Sequence, residues 1–429
     1  MSDVPLSPST INKIAEGARF PYAAAELRST KTIRSRAVAL LARARRGESA
    51  WFSVNDGAMA TSAALVAELT RARYPDLNIP YHSRWRHFEA GGIDRAGQLD
   101  SALQVVTLVQ KAHARIDLAL VSVLLDAGAG ADWRYREAAN INRPAHEYSR
   151  SEGLGVASFH AFMAGLFSSD PAKPLQADAP GLRAVTADKL GKAFQVTTAN
   201  PLVGLEGRAA LLRRLGLALQ DQPEIFGHPG RPGHLFDSLT KGRQSIQAHD
   251  LLSVLLSGLA RIWPAQNAID SIALGDCWWH AAVPGDGAGD ATAGWMPFHK
   301  LTQWLTYSLL EPFEWAGIKV EGLDALTGLP EYRNGGLFLD AGVLRLKDAS
   351  QPGHQYEAGD ELIVEWRALT VALLDELAPL VREQLGLTEA QMPLACVLEG
   401  GTWAAGRALA QQLRGGTPPL NIISDGTVF

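Results

Sequence analysis

Residues 296–312 carry the richest set of chemically useful side chains in the chain. On a helix, Lys300, Gln303 and Tyr307 would share one face and present an ammonium group, an amide and a phenol, while an apolar stripe packs inward. A solvated polar face has the same spacing, but it usually carries more Lys/Glu pairs. We therefore predict that Lys300 is catalytic and that Gln303, Tyr307 and the preceding His299 bind substrate.

A second polar segment, residues 326–340, places Glu331, Arg333 and Asn334 beside two glycines and between apolar flanks. Such a turn permits close approach of the backbone to a ligand. The alternative is an Arg–Glu brace between two helices. We predict that Glu331 is a catalytic carboxylate, with Asp340 as the second candidate, and that Arg333 and Asn334 bind substrate.

Glu365 and Arg367 open a long predicted helix and point about 160° apart, so one of them should face inward. The alternative is that one of these two residues is an ordinary charged residue on the protein surface. Both residues are predicted to bind substrate.

Arginine also lies beside histidine and aromatic residues at Arg84, Trp85 and His87, and Asp276 precedes a second aromatic cluster. A guanidinium group in such surroundings suits a phosphate or a planar heterocycle. The alternative is that these residues only anchor loops and have a structural role. We include all four residues in the predicted substrate site.

The elements that must position these residues are mainly helices. Amphipathic patterns predict helices at 34–46, 58–73, 98–126 (one helix or two abutting), 202–219, 251–262, 298–310, 361–382 and 402–414. Pro297 is predicted to lie in the first turn of the 298–310 helix. Strand patterns are short, at 51–54, 343–346 and 420–423, and do not alternate with helices. We predict a mainly α protein with few short strands, forming one compact helical domain over 1–429. Residues 284–294 form a predicted loop.

Composition limits the possible partners. The net charge is −5, so the chain has no basic excess for a nucleic-acid backbone. No apolar stretch is long enough to span a membrane, and no signal peptide is visible. We expect a cytoplasmic protein whose Cys277 and Cys396 are reduced and buried.

Several catalytic motifs are absent from the sequence. It contains no H-E-x-x-H, no P-loop, no complete dinucleotide fingerprint and no G-x-S-x-G elbow. His228 and His234 are interpreted as turn residues in a Pro/Gly-rich loop. We therefore expect no metal and no organic cofactor, and a chemistry of carboxylates, lysine, histidine and arginine.

The chain closely resembles the uracil-catabolism protein 4 family. The resemblance rests on residues 83–88, 155–162, 200–208, 228–233, 275–276, 298–312, 326–340 and 423–429, the last part of a family-specific C-terminal segment. It implies a place in pyrimidine degradation, in which uracil is ribosylated, its ring is opened and a ribosylurea-type intermediate releases urea. The implied substrate is a small molecule derived from a nucleoside or nucleotide.

A more remote resemblance links three short motifs to the queuosine 5′-phosphate N-glycosylase family. That family has a Lys-x-x-Gln helix, an Asp-Tyr-Arg turn and a Glu-x-Arg helix start, which are similar to 300–303, 331–333 and 365–367 here. It implies a DNA-glycosylase-like, helix-hairpin-helix core and cleavage of an N-ribosyl bond. The chain departs from the pattern at Glu331, where that family has Asp.

Cleavage of an N-ribosyl bond passes through an oxocarbenium-like cation, which a carboxylate stabilises. In this hypothesis Glu331 is that carboxylate, Lys300 orients it or binds the sugar, and Arg333, Arg367 or Arg84 binds a phosphate. The alternatives are an amidohydrolase or ureidohydrolase acting on the opened pyrimidine, and a non-catalytic binding or scaffold protein of the same pathway.

Overall fold

The computed structural model describes residues 21–103, 106–139, 144–263, 267–269, 272–285 and 289–423. Residues 1–20, residues 286–288 of the predicted loop and all but the first residue of the 423–429 motif lie outside these ranges. Short helices and turns at 56–58, 232–234, 260–262, 323–325 and 351–353 are 3₁₀.

The protein is mainly α, as predicted. In the first half of the chain the helices are α1 (Pro21–Glu26), α2 (Thr30–Arg45), α3 (Met59–Arg73), α4 (Arg84–Phe88), α5 (Arg95–Ala102), α6 (Leu108–Leu124), α7 (Arg150–Met163), α8 (Ala179–Arg183), α9 (Ala187–Ala193) and α10 (Leu205–Gln220). In the second half they are α11 (Pro223–Phe226), α12 (Leu235–Thr240), α13 (Ala248–Gly258), α14 (Lys300–Glu314), α15 (Tyr332–Asp340), α16 (Glu361–Leu385), α17 (Leu394–Val397) and α18 (Trp403–Arg414). One π-helical turn, Leu398–Thr402, joins the last two.

The strands are short and, in the described residues, occur only in pairs. Antiparallel pairs are β1 (Phe52–Val54) with β10 (Leu344–Leu346), β2 (Tyr135–Glu137) with β3 (His146–Tyr148), β5 (Ala268–Ile269) with β6 (Ile272–Ala273), and β7 (Cys277–Trp279) with β8 (Trp295–Pro297). Parallel pairs are β4 (Ser245–Gln247) with β9 (Lys319–Glu321) and β11 (Gln355–Tyr356) with β12 (Asn421–Ile422). All three predicted strands are confirmed, and β1 pairs with β10 although the two are far apart in sequence.

The structure decides between two alternatives for one segment and corrects the start of one helix. Residues 98–126 form two helices, α5 and α6, one of the two predicted alternatives; Thr107 is the N-cap of α6 and forms a capping box with Gln110. Pro297 is not in the first turn of a helix but in β8, and α14 begins only at Lys300. The cause is Asp276, whose carbonyl oxygen accepts hydrogen bonds from the backbone N–H groups of residues 298 and 299.

The helix α16 lies at the centre of the molecule and packs against α2, α3 and α15, while α14 packs against α6. Over the first three turns of α16, side chains on nearly all sides of the helix are buried, including Trp366. A helix buried all round belongs to a protein core. The three predicted polar motifs lie at the starts of α14, α15 and α16, and of these helices α15 packs directly on α16.

No helix in the described ranges is both long and apolar enough to cross a bilayer. Cys277 and Cys396 are buried free thiols, as predicted.

Candidate active site

A buried ion pair positions the start of α14. Arg367 donates from both terminal nitrogens to the carboxylate of Asp276, at 2.8 Å each. The same carboxylate accepts from the backbone N–H of Lys300 at 2.9 Å and from the indole of Trp278 at 2.8 Å. Burial opposes ionisation of Asp276, but Arg367 and these donors outweigh it and hold its pKa well below the ordinary range.

Arg367 also connects this pair to the next motif. Its Nε lies 3.3 Å from the carbonyl oxygen of Pro330, the residue before Glu331, and its guanidinium stacks 4.0 Å above the centre of the Phe298 ring. One rigid, planar side chain therefore fixes the backbone before Lys300 and the backbone before Glu331 relative to each other.

Glu331 is the N-cap of α15. Its two carboxylate oxygens accept from the backbone N–H groups of Arg333 at 2.7 Å and Asn334 at 2.5 Å. Burial raises the pKa of Glu331, whereas the two backbone donors and the nearby charges of Lys300 and His82 act in the opposite direction. Each oxygen retains a second lone pair that could accept from a ligand.

Lys300 lies within electrostatic reach of Glu331. Burial lowers the pKa of Lys300, and the nearby Arg367 lowers it further, while Glu331, Asp276 and Asp126 raise it. The structure thus brings together an amine and a carboxylate that the sequence separates by thirty residues, with burial acting against the charge of both.

One histidine outside the predicted site, His82, interacts electrostatically with Glu331. His82 Nδ1 is 2.8 Å from Glu399 Oε2, and Glu399 also accepts from Arg73 at 2.7 Å and from Tyr74 at 3.0 Å. Burial opposes ionisation of Glu399, but His82 and Arg73 lower its pKa to about 2. A carboxylate at Nδ1 fixes the ring and leaves Nε2 for another partner.

Glu399 is part of the π-helical turn 398–402, a rare geometry that is frequent at functional sites. The only signal in the sequence is Leu398-Glu-Gly-Gly-Thr402, and it does not reveal which histidine the carboxylate contacts. His82 directly precedes the 83–88 motif, but no local pattern marks it as a site residue.

Arg84 lies close to two aromatic side chains, Trp304 and His87. Arg84 is fully buried, donates from Nε to Ser122 at 2.6 Å and pairs with Asp126 at 3.1 Å. Its guanidinium lies 5.6 Å from the Trp304 ring, and the His87 ring lies 5.7 Å from that same indole.

Buried polar atoms without a hydrogen-bond partner concentrate around these elements. In the described part of the chain they include Arg84 Nη2, His87 Nδ1, Gln303 Nε2, Trp304 Nε1, Thr327 Oγ1 and Asn334 Oδ1. Buried polar atoms are nearly always paired with protein or with water. A group of such donors and acceptors next to Lys300 and Glu331 is what a small polar ligand would satisfy.

Other predicted side chains form hydrogen bonds or ion pairs with neighbouring parts of the protein, although in Asn334 only Nδ2 is engaged. Those of Arg333 and Asn334 reach the carbonyl oxygens of Gly416 at 3.3 Å and Leu329 at 3.0 Å. Asp340 pairs with Arg414 at 2.6 Å, about 13 Å along α15 from Glu331.

Glu365 faces His280, at 3.0 Å. Tyr307 donates to the carbonyl oxygen of Thr327 at 2.8 Å, and Trp85 to that of Ser308 at 2.9 Å. These residues support the surrounding helices, and Glu365 and Arg367 both face inward.

Asp276 and His299 also line a separate cavity of about 220 Å³, together with Arg28, Trp263 and Trp278. His299 Nε2 is 2.8 Å from the carbonyl oxygen of Leu27. Around Lys300 and Glu331, the described residues contain no three His, Cys, Asp or Glu side chains close enough to share a metal ion.

Comparison with known proteins identifies relatives over most of the chain. Residues 26–429 match a family described as a protein of unknown function, DUF1688. Protein urg3 of Schizosaccharomyces pombe is 41% identical over 420 residues, covering 94% of this chain and 98% of its own. Uracil catabolism protein 4 of Lachancea kluyveri is 40% identical over 381 residues, covering 82% of this chain and 85% of its own.

Proposed function

The chain belongs to the DUF1688 family, and on that basis we propose that it is an enzyme of uracil catabolism that hydrolyses the N-ribosyl bond of a ribosylurea-type intermediate. The name of one relative, uracil catabolism protein 4, supports the pathway. The observation that carries the reaction is that the half-buried Lys300 and Glu331 interact electrostatically, on helices that also carry buried polar atoms without hydrogen-bond partners.

In the proposed reaction the C1′–N bond breaks and its electron pair stays with the urea nitrogen, which takes up a proton. A water molecule adds its hydroxyl to C1′ and gives up the other proton, so ribosylurea and water yield ribose and urea. The ribosyl cation that develops at C1′ needs a nearby negative charge. Glu331 supplies it, since helix N–H groups fix both of its oxygens on one side.

Lys300 and His82 are the groups that could serve the leaving nitrogen. Burial lowers the pKa of Lys300, which eases proton transfer from it. His82 is oriented by Glu399 and lies within electrostatic reach of Glu331. A urea group is planar and rich in donors and acceptors, so it would fit the unpaired polar atoms of Gln303 and Asn334.

The Nη2 atom of Arg84 is a buried cationic donor without a hydrogen-bond partner, and we propose that it binds the sugar or a 5′-phosphate. Arg367 is instead a positioning residue, because its terminal nitrogens are engaged by Asp276. Arg333 donates to the carbonyl oxygen of Gly416, just beyond the end of α18.

A cysteine-dependent amidohydrolase is disfavoured. Burial raises the pKa of the thiols of Cys277 and Cys396, the latter to about 12, whereas a nucleophilic cysteine needs a thiolate near neutral pH.

The test is to incubate the purified protein with N-ribosylurea and with its 5′-phosphate and to identify the nitrogen products. The proposal predicts urea together with the free sugar or sugar phosphate. A ureidohydrolase would instead release ammonia and carbon dioxide and no urea. Binding of either compound without turnover would refute the catalytic proposal in favour of a binding protein.

A further inference from the structure

Two histidines and an aspartate meet where α6 packs against the turn before α12. A ring nitrogen of His113, a ring nitrogen of His234 and a carboxylate oxygen of Asp237 all lie within 4.8 Å of one another. His113 Nε2 is 3.0 Å from Asp237 Oδ2. Two ligands of a tetrahedral zinc ion, each about 2.0 Å from the metal, are about 3.3 Å apart.

The His234 ring is oriented as in metal sites. Its Nδ1 lies 3.0 Å from the carbonyl oxygen of Phe226, so Nδ1 carries the hydrogen and Nε2 carries the lone pair. A side chain at Gly227 would come within 2.4 Å of that Nδ1, so the absence of a Cβ there allows the ring to approach.

The His113 nitrogen faces the carboxylate directly. His113 Nε2 is inaccessible to solvent and lies 3.0 Å from Asp237 Oδ2. An imidazole nitrogen and a carboxylate oxygen at this separation are two ligand atoms that one zinc ion could bind.

The scaffold holds both histidines rigidly. Asp117, one helical turn after His113, accepts from the backbone N–H of Gly233 at 2.7 Å and from Arg231 at 2.6 Å. This carboxylate therefore ties the 232–234 turn to α6 and also neutralises the nearest cation. A Cβ at Gly233 would lie 2.6 Å from the backbone of His113, so the two segments are in direct contact.

We infer that His113, His234 and Asp237 form a binding site for a divalent transition-metal ion, with zinc the best match. Two imidazoles and one carboxylate suit zinc, and water would complete the coordination, since the Asp237 side chain is 52% exposed. His113 lies about 13 Å along α6 from Ser122, the residue that contacts Arg84. The ion would clamp α6 to the turn before α12, apart from the candidate active site.

The experiment uses the full chain stripped with a chelator and titrated with Zn²⁺ by calorimetry, with Co²⁺ absorption as the spectroscopic readout. We expect one zinc ion per chain, a higher Tm with zinc and a cobalt spectrum of low-coordinate type. Asp237→Asn and His234→Ala should each weaken zinc binding by at least tenfold. His228→Gln, at an exposed histidine of the same loop, is the matched control and should bind as the wild type does.

Asp237→Asn changes one exposed side chain, so its fold should survive even where His234→Ala lowers stability. Zinc affinity unchanged in Asp237→Asn, or lost equally in His228→Gln, would overturn the assignment. So would the absence of stoichiometric binding by the wild-type chain.

Discussion

Replacing Glu331 by glutamine tests the proposed catalytic carboxylate most directly, but this residue has two roles that must be separated. As N-cap of α15 it accepts two backbone hydrogen bonds, at 2.7 and 2.5 Å. Glutamine offers one oxygen in place of two and removes a negative charge from a helix N-terminus. We expect unfolding free energy to fall by about 1–2 kcal/mol and Tm by a few degrees.

The catalytic loss should be much larger. If the carboxylate faces the developing ribosyl cation, its removal should lower kcat by about 10²–10⁴, or about 3–5 kcal/mol in the barrier. KM should change little, because the cation exists only in the transition state. The assay is urea release from N-ribosylurea or its 5′-phosphate, paired with a thermal melt of the same sample.

Two controls separate capping from catalysis. Thr186→Ala removes the side-chain cap of α9, where Thr186 accepts from the backbone of Lys189 at 3.2 Å, and should cost about 1 kcal/mol without reducing kcat. Glu331→Asp keeps the charge and a strong N-cap residue, so stability should be retained while the shorter side chain lowers kcat moderately. If Glu331→Gln were destabilised but kept kcat within fivefold of wild type, the catalytic assignment would be wrong.

Three further predictions follow from the same contacts. Lys300→Met should fold but lose at least tenfold in kcat and shift the pH–rate profile; an unchanged profile would remove Lys300 from the mechanism. Arg367→Met should leave Asp276 buried without its cationic partner and lower the free energy of unfolding by about 3–5 kcal/mol, measured by urea denaturation. A loss below about 1 kcal/mol would contradict the structural role of the Arg367–Asp276 ion pair. Burial raises the pKa of Glu311 to about 7, so the folded state holds a proton that the unfolded state releases near pH 4.5. Glu311 therefore contributes stability below pH 4.5 that is lost as pH rises to about 7, and Glu311→Gln should raise Tm at pH 8 more than at pH 5. Equal Tm shifts at the two pH values would contradict this.

Much of the fold follows from local sequence patterns. The apolar spacing from residue 361 to 382 predicts the central helix, observed as Glu361–Leu385, because an amphipathic period depends only on neighbouring residues. The polar motifs at Lys300, Glu331 and Arg367 are also visible in the sequence, since each is a short run of chemically distinctive side chains.

The boundaries next to the site could not be predicted in this way. Pro297 lies in a strand and not in a helix, because its partner Cys277 and the carbonyl of Asp276 come from a segment about twenty residues earlier. Local propensity does not include such a competing partner.

The tertiary structure alone decided which polar groups meet. His82 and Glu399 are 317 positions apart, and Arg367 and Asp276 are 91 apart. Sequence periodicity tells which face of a helix is buried, but not which other face packs against it. The electrostatic proximity of Lys300 and His82 to Glu331 therefore depends on how α14, α15 and the segment before α4 pack. The same packing directs Asp340 to Arg414, at the far end of α15.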